Sequence, residues 1–85
     1  MSAAPKWTIL GDHGATAPRV GATYSINHSR KGKFRGRVLS VDDIWCTVEI
    51  VEGRANAMLD YNIRDVGEQV TCRDSLTTWT LDGAA

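Results

Sequence analysis

From residue 44 to residue 51 the chain alternates position by position, with Ile44, Cys46, Val48 and Ile50 on one face and Trp45, Thr47, Glu49 and Val51 on the other. A period of two in a run rich in β-branched residues predicts a half-buried antiparallel strand. Looser versions of the pattern flank it. Residues 22–28 set Tyr24 and Ile26 against Thr23, Ser25 and Asn27, and residues 34–41 read as the next strand. Further on, residues 68–73 turn Val70 and Cys72 inward, and residues 75–81 alternate Thr77, Trp79 and Leu81 against Leu76, Thr78 and Thr80. Turn chemistry separates these runs: Gly32 within a basic turn, Asp42-Asp43 as a two-residue reversal, then Gly53 and Gly67.

The remaining segments are less regular. Residues 1–6 are small, polar and Pro-containing and read as a frayed end. Trp7 to Leu10 reads either as a short strand or as an apolar clip over the core, and residues 11–21 read as a Gly-rich loop. In residues 55–66, Ala55, Ala57, Met58 and Leu59 favour helix while Asp60, Tyr61 and Asn62 oppose it. A short helical turn and an irregular strand both fit there. Five or six short strands without a long amphipathic helix predict an all-β fold, a small barrel or sandwich. Barrel closure would also remove exposed strand edges. The expected organisation is an N-terminal extension over 1–19 packing through Trp7, one domain over 20–82, and a frayed end at 83–85.

Composition changes this picture little. The chain is 42% hydrophobic and 24% charged, ordinary for one globular domain. No apolar run approaches the roughly 20 residues that cross a bilayer, and the first residues lack the basic and apolar regions of a signal peptide. A cytoplasmic location is the expectation. Cys46 and Cys72 both lie in apparent strands and are expected to be reduced, buried fillers. A bridge between them would require the two strands to be neighbours in register.

Charge changes the picture more. The net formal charge is zero, yet residues 13–41 contain Arg19, Arg30, Lys31, Lys33, Arg35 and Arg37 and no acid. Residues 42–68 then hold seven acids against Arg54 and Arg64. Such blocks point to an electropositive face that attracts phosphate or an acidic protein. The cations concentrate in Lys31-Gly32-Lys33-Phe34-Arg35-Gly36-Arg37, where alternation places Arg35 and Arg37 on one strand face.

Residues 21–53 resemble the KOW motif of SH3-like barrels, found in certain ribosomal proteins and elongation factors. Gly21 opens the pattern, Ile26 to Glu52 spans the motif's usual 27 residues, and Gly36 takes the family glycine's place. Val38, Val41, Val48 and Ile50 supply its alternating hydrophobics. The Gly32–Gly36 spacing is one residue longer than the common form, and Ala22 stands where Asp is frequent. In overall look the chain is also similar to small single-domain proteins of bacteria and their phages. The resemblance implies an SH3-like barrel of five or six short antiparallel strands with at most one helical turn.

The expected function is non-enzymatic: nucleic-acid binding through Arg30, Lys31, Lys33, Arg35 and Arg37, with Phe34 as a stacking platform. Gly32 and Gly36 would let a polymer backbone approach closely. Two other readings compete. Cations in a turn also serve as solvated guards of a strand edge. Alternatively, Trp45 with Val51, beside Asp42 and Asp43, forms an apolar and acidic face for a protein partner, as in an adaptor or inhibitor, or for a second copy of the chain.

No cofactor is expected. His13, His28, Cys46 and Cys72 lack zinc-like spacing, and both histidines read as surface residues. Asp42-Asp43 at a hairpin tip diverge and are poorly shielded from water, and Ser75 has no evident base. Residues 11–14 lack the strand-to-helix setting of a phosphate loop. Trp7 and Trp79 are expected to anchor the core.

Overall fold

In the computed structural model the described residues are 6–12, 14–57 and 62–81. Among these residues eight strands form: β1 (Thr8–Leu10), β2 (Thr23–His28), β3 (Gly32–Asp42), β4 (Trp45–Gly53), β5 (Ala55–Ala57), β6 (Asn62–Arg64), β7 (Gln69–Arg73) and β8 (Thr77–Leu81). The one helical element among the described residues is a 3-10 turn, Asp74–Leu76, between β7 and β8. The expected all-β class is therefore the observed one. Six strands make a single sheet in the order β1-β8-β2-β3-β4-β7, and β5 and β6 form a separate two-stranded hairpin. All neighbouring pairs in the large sheet are antiparallel except β1 with β8. Residues 8–10 thus join the sheet rather than merely overlie it.

Alternation builds the core. Tyr24 and Ile26 of β2, Phe34 and Val38 of β3, and Cys46, Val48 and Ile50 of β4 all point inward. Val70 and Cys72 of β7 and Trp79 of β8 complete it, with Ala55 of β5. Trp79 is fully buried and meets Trp7 and Tyr24 edge-on, with centroids 6.0 and 5.6 Å away. The Tyr24 hydroxyl accepts the Arg19 backbone N–H at 2.8 Å, tying the loop before β2 to this cluster. Asp74, also buried, accepts from the N–H groups of Lys6 (2.5 Å) and Ser75 (2.7 Å) and so holds the N-terminal segment beside β8.

Several details differ from the sequence expectation. β3 runs for 11 residues rather than being short. Two irregularities interrupt its pairing with β4: Leu39 is an extra residue on β3 and Val51 an extra residue on β4. Such bulges leave one residue unpaired and increase local twist. The reversal between the strands is Asp43-Ile44, one residue later than expected, with Asp43 in the left-handed region at φ 53°. Asp is among the few residues that visit this region readily. Within residues 55–66, Ala55–Ala57 and Asn62–Arg64 are extended, as β5 and β6, and Val66 begins a turn; Met58 to Tyr61 lie outside the described residues. So do His13 and residues 1–5 and 82–85.

Gly36 has a packing reason for lacking a side chain. A Cβ there would lie 3.0 Å from both Ile26 Cδ1 and Val48 Cγ2. Its hydrogen faces the core, so the glycine serves internal packing and does not open a path for an external polymer. Gly32, at φ 86°, instead supplies the left-handed residue that leads from the basic turn into β3.

Candidate functional site

The basic turn between β2 and β3 is built on a buried histidine. Tyr24, Ile26 and His28 share the inward face of β2, so His28 is buried rather than at the surface. Its Nδ1 accepts the backbone N–H groups of Arg30 and Lys31, each at 3.1 Å. This acceptor role puts the ring proton of the neutral form on Nε2. Burial, followed by the charges of Lys31 and Arg30, pushes the His28 pKa below its ordinary value. The turn is also held from outside: Ser29 N–H donates to Leu76 O at 2.9 Å, and Asn56 N–H to Lys31 O at 3.0 Å.

The six cations of the basic block do not form one free patch. Arg19 is paired with Asp12, its Nε 2.6 Å from Oδ2 and its Nη2 3.0 Å from Oδ1. Arg35 forms an ion pair with Glu52, and Arg37 Nη2 reaches Glu49 Oε1 at 2.7 Å. Both pairs follow from register, since Glu52 and Glu49 are the direct cross-strand partners of Arg35 and Arg37. An antiparallel hairpin folds the acidic block back onto the basic one, so much of the charge separation seen along the chain is cancelled in space. Lys31 donates its Nζ to the backbone carbonyl of Thr71 on β7. Arg30 and Lys33 are exposed, and no carboxylate among the described residues lies within ion-pair distance of either or of Lys31.

Phe34 is corrected more strongly. It is only 5% exposed, on the inward face with Gly36 and Val38, and offers no surface for a base. A cleft of about 330 Å³ lies beside it, lined by Ser25, Asn27, Lys33, Arg35, Glu52 and Thr80 together with Ile26, Gly53 and Phe34 itself.

A second cleft, of about 290 Å³, lies between the β5–β6 hairpin and β7. Lys31, Asn56, Arg64, Gln69, Val70 and Thr71 line it. Arg64 was not singled out in the sequence because it sits within the acidic block and belongs to a three-residue strand too short to show a period.

The expected protein-binding face also separates. Trp45 is 46% exposed, and the Arg73 guanidinium carbon lies 5.9 Å from the ring centroid. Asp42 is its partner on β3, and Asp43 follows in the turn, both exposed. Val51 is exposed too, but it stands six residues farther along β4, on the order of 20 Å at the rise of a strand. Trp45 and Val51 therefore do not form one patch.

Cys46 and Cys72 are direct cross-strand partners, both buried and reduced. Burial, and then the proximity of Cys72, pushes the Cys46 thiol up to about 12, and burial pushes Cys72 up to about 11. Among the described residues no group of three or more His, Cys, Asp and Glu is placed to hold a metal ion. Nor is any helix among them long and apolar enough to cross a membrane. Comparison with known protein families, with curated proteins and with solved structures finds no match to this chain.

Proposed function

We propose that this chain is a non-enzymatic module that grips a nucleic-acid backbone at the β2–β3 turn, through Arg30, Lys31 and Lys33. One observation carries this reading: these three cations have no carboxylate partner among the described residues, whereas Arg35 and Arg37 face Glu52 and Glu49. The hydrogen bonds of His28 and Asn56 to the turn backbone preorganise it, which reduces the ordering cost of binding. The KOW resemblance of residues 21–53 points the same way. With Phe34 buried, contact is to phosphate rather than to stacked bases, so the module discriminates little between sequences. Three phosphate contacts give a salt slope of about −2 to −3 in log K against log salt concentration.

Fluorescence-anisotropy titrations of labelled RNA, single-stranded DNA and duplex DNA at two salt concentrations test this directly. The expected result is modest, strongly salt-dependent binding that Arg30→Glu with Lys33→Glu abolishes. Absence of binding at low salt, or binding indifferent to that double substitution, overturns it.

Half-exposed Trp45, under Arg73 and beside Asp42 and Asp43, favours a second reading, a protein-interaction module. On that reading Trp45→Ala leaves the fold intact and abolishes self-association measured by sedimentation, or capture of a basic protein partner. An unfolded Trp45→Ala variant would show that the ring is structural.

A further inference from the structure

The cleft between the β5–β6 hairpin and β7 differs in its lining from the cleft beside β2 and β3, which includes Glu52. Among the described residues that line it, Lys31 and Arg64 are cationic and none is acidic. Asn56, Gln69 and Thr71 add amide and hydroxyl groups, which can donate to an anion. Elsewhere among the described residues five cations stand beside carboxylates: Arg19 with Asp12, Arg35 with Glu52, Arg37 with Glu49, Arg54 with Asp65 and Arg73 with Asp74. Asp65, the acid next to Arg64 in the chain, is 3.0 Å from Arg54 Nε instead. No ion pair forms at Arg64 among the described residues.

The position of Lys31 is fixed in two ways. Its Nζ donates to Thr71 O, which leaves the remaining ammonium protons for another acceptor. Its backbone N–H goes to His28 Nδ1, and its backbone carbonyl receives Asn56 N–H. A cation held this way pays little ordering entropy on binding. Arg64 adds a planar donor fork of the kind that matches phosphate oxygens. The two come from separate parts of the chain, brought together by the docking of β5 on the basic turn.

We propose that this cleft seats a phosphoryl group, held between Lys31 and Arg64 with Gln69 and Thr71 at its wall. The proposal deepens the backbone-binding reading by giving one phosphate a defined seat, and it rests on that reading only for the source of the phosphate. The shared chemistry is a phosphoryl dianion or diester; the two sources are a nucleic-acid strand and a free small phosphate.

Two-dimensional amide NMR, with inorganic pyrophosphate titrated at constant ionic strength, reads the seat. Saturable shifts confined to Lys31, Arg64, Gln69 and Thr71 are expected. Arg64→Gln should weaken the apparent affinity roughly tenfold, the size of one lost charge-assisted hydrogen bond, with all other cross-peaks unmoved. Lys31→Gln should do the same, while Arg30→Gln with Lys33→Gln leaves the pyrophosphate shifts intact. Shifts that never saturate, that fall elsewhere, or that survive both Arg64→Gln and Lys31→Gln overturn the proposal. A parallel titration with a short oligonucleotide separates the sources. Shifts of the same amides at lower concentration than with pyrophosphate identify a strand as the occupant. Pyrophosphate shifts that the oligonucleotide fails to reproduce keep the seat, assign it to a small phosphate, and count against the backbone-binding reading alone.

Discussion

Substituting Gly36 by Ala separates a core role for that residue from a ligand-facing one. The new methyl would lie 3.0 Å from Ile26 Cδ1, 3.0 Å from Val48 Cγ2 and 3.1 Å from Val48 Cβ. These are contacts on β2 and β4, the two strands that flank β3, inside a layer that is fully or nearly fully buried. Inserting one methyl into such a site forces side chains off their rotamers or the strands apart, at a cost of about 1–3 kcal/mol. Replacing Gly with Ala also restricts the unfolded chain, which returns about 0.4–1 kcal/mol where the backbone conformation is compatible. Gly36 is not among the positive-φ glycines, so that gain applies. Overpacking remains the larger effect, and the net loss is about 0.5–2 kcal/mol. For a domain of this size each kcal/mol lowers the melting temperature by roughly 4–8 °C, so thermal and urea denaturation resolve it. Ile26→Val removes the Cδ1 that the methyl would strike. The double variant is therefore expected to lose less than the two singles together, by about 0.5 kcal/mol or more. A Gly36→Ala protein as stable as the parent, yet impaired in nucleic-acid binding, would refute the packing account and restore the glycine to the ligand face.

Acid should loosen the basic turn. Because His28 has its folded-state pKa lowered by burial and by Lys31 and Arg30, the unfolded chain takes up the proton first. The stability contributed by neutral His28 is present above its unfolded value of about 6.5 and is lost as the pH falls below it. His28→Asn, which keeps an acceptor near Nδ1 but does not titrate, should flatten the pH dependence of urea midpoints in that range; an unchanged profile contradicts the assignment. The two thiols should resist an aromatic disulfide reagent at pH 8 and react at the rate of unfolding, because burial keeps both protonated far above that pH. Fast stoichiometric labelling of the native protein would contradict this.

How much of this was legible follows from which features are local. Alternation located β2, β3, β4, β7 and β8 and placed Cys46, Val48, Ile50, Val70, Cys72 and Trp79 in the core, because each decision needs only neighbouring residues. The inward turn of Phe34 was legible too, since Arg35 and Arg37 cannot face outward unless Phe34 faces in. The same parity puts His28 inside with Tyr24 and Ile26. The neutralisation of Arg35 and Arg37 is different: it depends on register across β3 and β4, which the turn and both bulges set together. A reversal at Asp42-Asp43 would set Arg37 opposite Val48, mixing outward and inward faces, and the turn one residue later with Leu39 inserted sets it opposite Glu49. One trace of the insertion was present, for Val38 and Val41, three apart, both bury surface only if an extra residue stands between them. β1, β5 and β6 have three residues each, too few to display a period. Their placement comes from tertiary contacts: Trp7 on Trp79 and Asn56 on Lys31.

The central claim is that unpaired turn cations, and not the paired strand arginines, hold the nucleic acid. Two variants with matched stability decide it in one salt-titrated anisotropy measurement. The first, Arg30→Gln, Lys31→Gln and Lys33→Gln, removes the unpaired charges. The second, Arg35→Gln with Glu52→Gln and Arg37→Gln with Glu49→Gln, removes both strand pairs without changing the net charge. Loss of binding and of the salt slope in the first, with parent-like binding in the second, is the expected result. Equal loss in the second, or retained binding in the first, contradicts the account.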